Sequence, residues 1–145
     1  MNPISINWLA LLVSAIVIVV INSVWFGPKT FYPIWWKALG KEMGKPEDRD
    51  TSAKTAIRLF GGTFAGAIAQ AIVLYIMVSG ASAQFEMSLV FGAVIGFALG
   101  VVAAATSLGH RLFAMQGFKV WIIEVGADLV ALTVAGAIIA AFVAH

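Results

Sequence analysis

Two carboxylates, Glu124 and Asp128, stand four residues apart in an otherwise apolar stretch near the end of the sequence. At helical spacing they share one face, about 6 Å apart along the axis. If the helix begins near Val120, Glu124 lies about a turn inside a span and Asp128 close to mid-depth. An ionised Asp at that depth costs about 2.5–3.5 kcal/mol on insertion scales. Such a group must face other helices or a watered cavity, and be paired, protonated or bound to a cation. Two carboxylates this close in a low dielectric also oppose each other's ionisation. The chemistry they could do is proton or cation handling. The plainer alternative is a structural ion pair.

Partners follow from depth. Asn22, Arg58, His110 and Arg111 fall near the level of Glu124, and Gln70 nearer that of Asp128. The expectation is a polar cluster of Asn22, Gln70, Glu124 and Asp128, rimmed by Arg58, His110 and Arg111. In the structural alternative, Arg111 or Arg58 pairs with Glu124 and Gln70 hydrogen-bonds Asp128. His110 is expected in a loop and His145 ends the sequence at the opposite face, so the two cannot share a metal or a haem. There is no cysteine, no glycine-rich phosphate loop followed by Lys, no zinc-ligand spacing and no nucleophile elbow. The sequence therefore predicts neither an enzyme nor a metal or cofactor site.

The elements that must hold the acids are transmembrane helices. Of the 145 residues 61% are hydrophobic and 11% charged, with a mean hydropathy of +0.98. Soluble domains carry about 25% charged residues, so lipid must be part of the solvent here. Four stretches reach the roughly 20 apolar residues a span needs: about Ile4–Phe26, Leu59–Val78, Met87–Leu108 and Val120–Ala144. The first is too long, and too poor in preceding positive charge, for a cleaved signal peptide. The predicted fold is all-α: one domain, a four-transmembrane-helix bundle with a short interfacial amphipathic helix after the first span.

Seven of the nine Lys and Arg lie between spans one and two: Lys29, Lys37, Lys41, Lys45, Arg49, Lys54 and Arg58. The other two, Arg111 and Lys119, lie between spans three and four. Loops rich in Lys and Arg stay in the cytoplasm. The expectation is an inner-membrane protein with both termini on the non-cytoplasmic side. With a net charge of +2, clustered in connecting segments, the basic residues indicate topology rather than nucleic-acid binding.

The segment after span one predicts a helix over Thr30–Met43, with Phe31, Ile34, Trp35, Ala38, Leu39 and Met43 as an apolar stripe. Tyr32, Trp35 and Trp36 suit the headgroup level. The stripe either anchors the first span in the bilayer or binds lipid or a partner. Residues from Lys41 to Lys54, with Gly44, Pro46 and mixed charges, are expected to form an exposed loop. Small residues also recur every four positions: Gly62 and Gly66, then Gly92, Gly96 and Gly100, then Ala127, Ala131 and Ala135. They predict close helix approach, either within one bundle or across a homodimer seam.

The chain resembles a bacterial membrane family catalogued as domain of unknown function 1761. The likeness rests on Met1-Asn2-Pro3, Trp25-Phe26-Gly27-Pro28, Phe31, Trp35-Trp36-Lys37 and the spacing of Trp121 and Asp128. It covers the whole length and implies four helices, with no activity and no site residues to carry over. Two functions compete on the residues: a small proton- or cation-handling transporter or channel using the acidic pair, and an accessory or assembly subunit of a larger membrane complex. A lipid-modifying enzyme lacks a catalytic constellation.

Overall fold

The computed structural model describes residues 6–43 and 52–144. Five helices follow in order: α1 Trp8–Trp25, α2 Tyr32–Ala38, α3 Ala53–Ser82, α4 Leu89–Phe113 and α5 Phe118–Val143. All except α2 are long and apolar enough to cross a membrane, so the chain is a multi-pass membrane protein built as a four-span helical bundle. Ile4, Gly44, Lys45, Pro46, Arg49, His145 and the Met1-Asn2-Pro3 opening lie outside the described residues.

Short polar residues start the spans. The Asn7 side chain accepts from the Ala10 N–H at 3.1 Å, Ser52 from Thr55 at 3.2 Å and Ser88 from Phe91 at 3.1 Å, each satisfying a donor that a helix start leaves orphaned. At the end of α1 the Phe26 N–H returns to the Asn22 carbonyl at 2.9 Å, and Gly27-Pro28 prevents continuation.

Three helix limits differ from the sequence expectation. First, α2 stops at Ala38 instead of reaching Met43, because Gly40 takes φ +76° and turns the chain out of the helix. Second, α3 begins at Ala53 rather than Leu59; its 30 residues measure about 45 Å at 1.5 Å each, so it outruns the apolar layer of roughly 30 Å or tilts within it. Third, α4 runs to Phe113 and takes in His110 and Arg111, which were expected in the connecting loop. Cations in a last turn are favoured by the partial negative charge of the helix end.

At the core, α5 is the most buried span and packs against each of the other helices, while α4 rests almost entirely on α5. The α4–α5 contact is made by backbone. A Cβ added at Gly92 or Gly96 would overlap the carbonyl oxygens of Gly136 or Leu132, and one at Gly136 would overlap that of Gly92. Ala127, Ala131 and Ala135 are buried in the same helix. The three-glycine ridge of α4 is thus taken up inside this chain. Helices in lipid associate through such close approach.

Towards the far end, where the α3–α4 turn lies, Ala67, Ala71, Leu74, Tyr75 and Val78 of α3 join Ala10, Ala15 and Ile18 of α1 and Ile139 of α5 in one buried cluster. The opposite end, called the basic end here, holds the α1–α3 connection and the α4–α5 turn. There the helices diverge. On α3 no residue before Ala67 is buried, and on α4 none after Gly100.

Candidate functional site

The divergence leaves a cavity of about 900 Å³ at the basic end. Each helix contributes to its wall: Asn22 and Phe26 from α1, Tyr32 and Trp35 from α2, Leu59, Phe60 and Thr63 from α3, Ser107 and Arg111 from α4, and Glu124, Val125 and Asp128 from α5. A smaller cavity of about 210 Å³ continues towards the core between Ile18, Gly66, Ala67 and Gln70. Asn22, Thr63 and Asp128 line both.

Three indole N–H groups brace this end around α5. Trp25 of α1 donates to the Ile123 carbonyl at 2.9 Å, and its ring lies so close to Gly126 that a Cβ there would come within 2.8 Å of Cζ2. Trp121 of α5 donates to the Ala104 carbonyl at 3.2 Å and to Ser107 Oγ at 3.1 Å on α4. Trp35 of α2 donates to Glu124 Oε1 at 3.1 Å. Aromatic contacts seat α2 on the end of α1: Phe31 stacks on Trp25 at 4.4 Å, and Trp35 meets Phe26 edge-on at 5.4 Å. Among the described residues α3 has no comparable brace here, and Leu59 and Phe60 are largely exposed.

The two acids live in different surroundings. Glu124 has both oxygens engaged: Oε1 accepts from Trp35, and Oε2 pairs with Arg111 Nε at 2.9 Å. Arg111 also donates to Gln116 Oε1, tying the node to the α4–α5 turn, where Met115 and Gly117 take positive φ. Asp128 forms no hydrogen bond and no ion pair with any described residue. Asp128 lines both cavities. From Phe118 it lies ten residues in, about 15 Å along the helix and so near the middle of a roughly 30 Å apolar layer.

The expected polar cluster is partly assembled. Asn22, Glu124, Asp128 and Arg111 line the larger cavity, and Gln70 lines the smaller one beside Asp128. Gln70 makes no hydrogen bond to Asp128, and the Asn22 amide donates to the Ile18 carbonyl at 3.0 Å instead. Arg58 and His110 are exposed and line neither cavity. Of the aromatic residues assigned to the interface, Tyr32 and Trp35 face the cavity. Trp36 stacks on Tyr32 at 5.4 Å and carries Lys41 over its ring at 4.5 Å. Gly62 and Gly66 meet no other residue within contact distance of an added Cβ. Sequence reasoning missed Thr63, Ser107 and the Trp35–Glu124 bond. The one available signal was that a half-buried glutamate needs two donors, whereas sequence depth supplied a partner only for one oxygen. Among the described residues no cluster of His, Asp and Glu could hold a metal.

The chain belongs to the family described as protein of unknown function (DUF1761), whose sequence pattern matches residues 9–140. No curated protein and no solved structure matches the chain.

Proposed function

We propose that this membrane protein is a small proton- or cation-handling transporter, with Asp128 as the binding group and the larger cavity as its access from the basic end. The observation carrying this is the contrast within the acidic pair. Glu124 is fully engaged by Arg111 and Trp35, while Asp128, four residues deeper, meets two cavities and no partner among the described residues. A carboxylate in a span is retained only against a substantial cost. One that no neighbour neutralises is suited to take its counter-charge from a passing proton or cation. The basic end faces the cytoplasm in this proposal, because it holds the Lys- and Arg-rich connections. No covalent chemistry is assigned.

The test is infrared spectroscopy of the carboxyl stretch in nanodiscs, with Asp128→Asn as the subtraction. A band absent from Asp128→Asn that moves when sodium or potassium is added, or when pH is stepped, supports the proposal. A carboxylate band indifferent to both refutes it.

A second reading, an accessory subunit of a larger complex, is favoured by one observation. A Cβ added at Gly61, Gly62 or Gly66 of α3 would meet nothing within 4 Å among the described residues, although small residues at that spacing suit helix contact. It predicts co-purification with another membrane chain that is lost in Gly62→Leu and unaffected by Asp128→Asn.

A further inference from the structure

The cavity's size and lining specify more than a charge, and we infer that it takes a hydrophobic organic monocation, an aryl or alkyl ammonium or its like, entering sideways from the bilayer between α3 and α4. The inference rests on the proposed cation site at Asp128 and names its ligand class.

Size is the first argument. About 900 Å³ lies within the roughly 300–1,000 Å³ range of small-molecule sites and far exceeds what a bare metal ion or a proton needs. An inorganic ion there would leave most of the apolar wall without a partner.

Charge is the second. The lining holds one cation, Arg111, and two acids, Glu124 and Asp128. Arg111 and Glu124 cancel at 2.9 Å, so the one ionisable group of the wall left without a counter-charge is the Asp128 carboxyl. A single positive charge complements it. A phosphate-bearing or carboxylate ligand finds no unengaged cation among the lining residues, since Arg111 is held by Glu124 and Gln116.

The remaining wall is the third. Phe26, Tyr32 and Trp35 stand on the α1–α2 side of the cavity, with Leu59 and Phe60 on α3. Aromatic faces attract soft organic cations, most strongly where water is excluded. Hydrated inorganic ions gain little from such a surface.

The route follows from exposure. Phe60 and Leu59 line the cavity and yet are 76% and 63% exposed, so on this side the cavity wall is also the outer, lipid-facing surface of α3, which packs only sparsely on α4. Both lie on α3, the span that no indole ties to α5 at this end. A ligand already dissolved in the bilayer reaches Asp128 between α3 and α4 without crossing the basic segment.

The experiment is calorimetric titration of the full chain in nanodiscs, with empty nanodiscs subtracted. The probes are tetraphenylphosphonium and tetraphenylborate, which share shape and apolar surface and differ in the sign of charge. Expected is saturable binding of the phosphonium alone. It should weaken about tenfold or more in Asp128→Asn, as loss of a desolvated charge partner does. Thr63→Trp, which keeps the acid and fills the space, should abolish it. Circular dichroism and size exclusion establish that both variants fold. Equal binding of the borate, or phosphonium binding that survives Asp128→Asn, overturns the inference by making the cavity a mere apolar sink. If sodium or pH moves the Asp128 band while the phosphonium does not bind, the ligand class is wrong and the cation site stands. If neither acts, both fall.

Discussion

The close α4–α5 contact supports a graded prediction about glycine. At Gly96 an added Cβ meets the carbonyl oxygen and carbon of Leu132, and at Gly92 the carbonyl of Gly136 and the Ala140 methyl. Backbone cannot rotate aside, so Gly96→Ala must push the helices apart. A parting of roughly 1 Å forfeits about a quarter to a half of each dispersion contact along the seam. Overpacking of this kind costs about 1–3 kcal/mol, and backbone as the obstacle places Gly96→Ala at the upper end. At Gly100 an added Cβ meets Leu129 Cδ2 at 3.0 Å and Leu129 Cα at 3.2 Å. The side-chain tip can swing aside and the backbone atom must give by only a few tenths of an ångström, so Gly100→Ala should cost about 1 kcal/mol, less than Gly96→Ala. At Gly62 and Gly66 nothing lies within 4 Å, and alanine there should be neutral or stabilising by up to about 1 kcal/mol through helix propensity. Reversible unfolding in mixed micelles, titrated with sodium dodecyl sulfate and followed by circular dichroism, ranks the four variants. The reasoning fails if Gly96→Ala is as stable as the parent. It fails differently if Gly62→Ala is the damaging change, since that would put the important seam on the open face of α3, against another chain.

Three further outcomes follow. Trp35→Phe keeps the ring against Phe26 but removes the donor to Glu124; hydrogen bonds to charged groups contribute about 1.5–3 kcal/mol, and because Glu124 retains Arg111 and is 20% exposed, the lower end is expected. Trp36→Phe loses an exposed bond to the Glu42 carbonyl and weakens the surface contact of Lys41 with the ring, and should change stability by less than about 1 kcal/mol, so equal effects in the same unfolding assay would refute the Trp35 brace. Ser14 is wholly buried, and its Oγ has no partner among the described residues; Ser14→Ala should therefore hold or gain up to about 1 kcal/mol, and a larger loss would mean that the hydroxyl bonds back to its own helix. Finally, the absence of cysteine allows single-cysteine mapping on a silent background: Lys41→Cys and Lys119→Cys should label only after the membrane is permeabilised, and Gln84→Cys in intact cells, whereas the reverse pattern overturns the orientation.

The number of spans was legible in the sequence because a bilayer imposes length and apolarity directly on each segment. The pairing of Arg111 with Glu124 was also within reach, as depth along two helices is arithmetic at 1.5 Å per residue. Depth carries no azimuth, however. It placed Arg58 and His110 beside Glu124, yet both sit exposed on other helix faces. Depth likewise put Gln70 level with Asp128 and could not say whether a hydrogen bond or a cavity lies between them. The glycines show the same limit. The spacing of Gly62 and Gly66 repeats that of Gly92 and Gly96, while one pair faces open space and the other a carbonyl wall. Trp35 was the furthest from view. An aromatic in an interfacial segment is ordinary, and only the fold-back of α2 after Gly27-Pro28 brings its N–H to α5.

That fold-back also explains why two acids one turn apart differ so completely. Glu124 sits at the level where α2 and the last turn of α4 close over α5, and there the chain supplies an indole from one side and a guanidinium from the other. One turn deeper, α2 no longer reaches, and α4 offers Gly100 rather than a donor. The α3 residues Thr63 and Gly66, which line the smaller cavity with Asp128, are exposed. Polar partners are thus concentrated in one layer and the two cavities lined by Asp128 lie at the next. If Asp128 were merely a tolerated residue, the least costly solution would place a donor on α3 opposite it, and Gln70, on that helix, makes no such bond. A carboxylate left open beneath a braced layer is the reason we propose that its counter-charge comes from outside the chain.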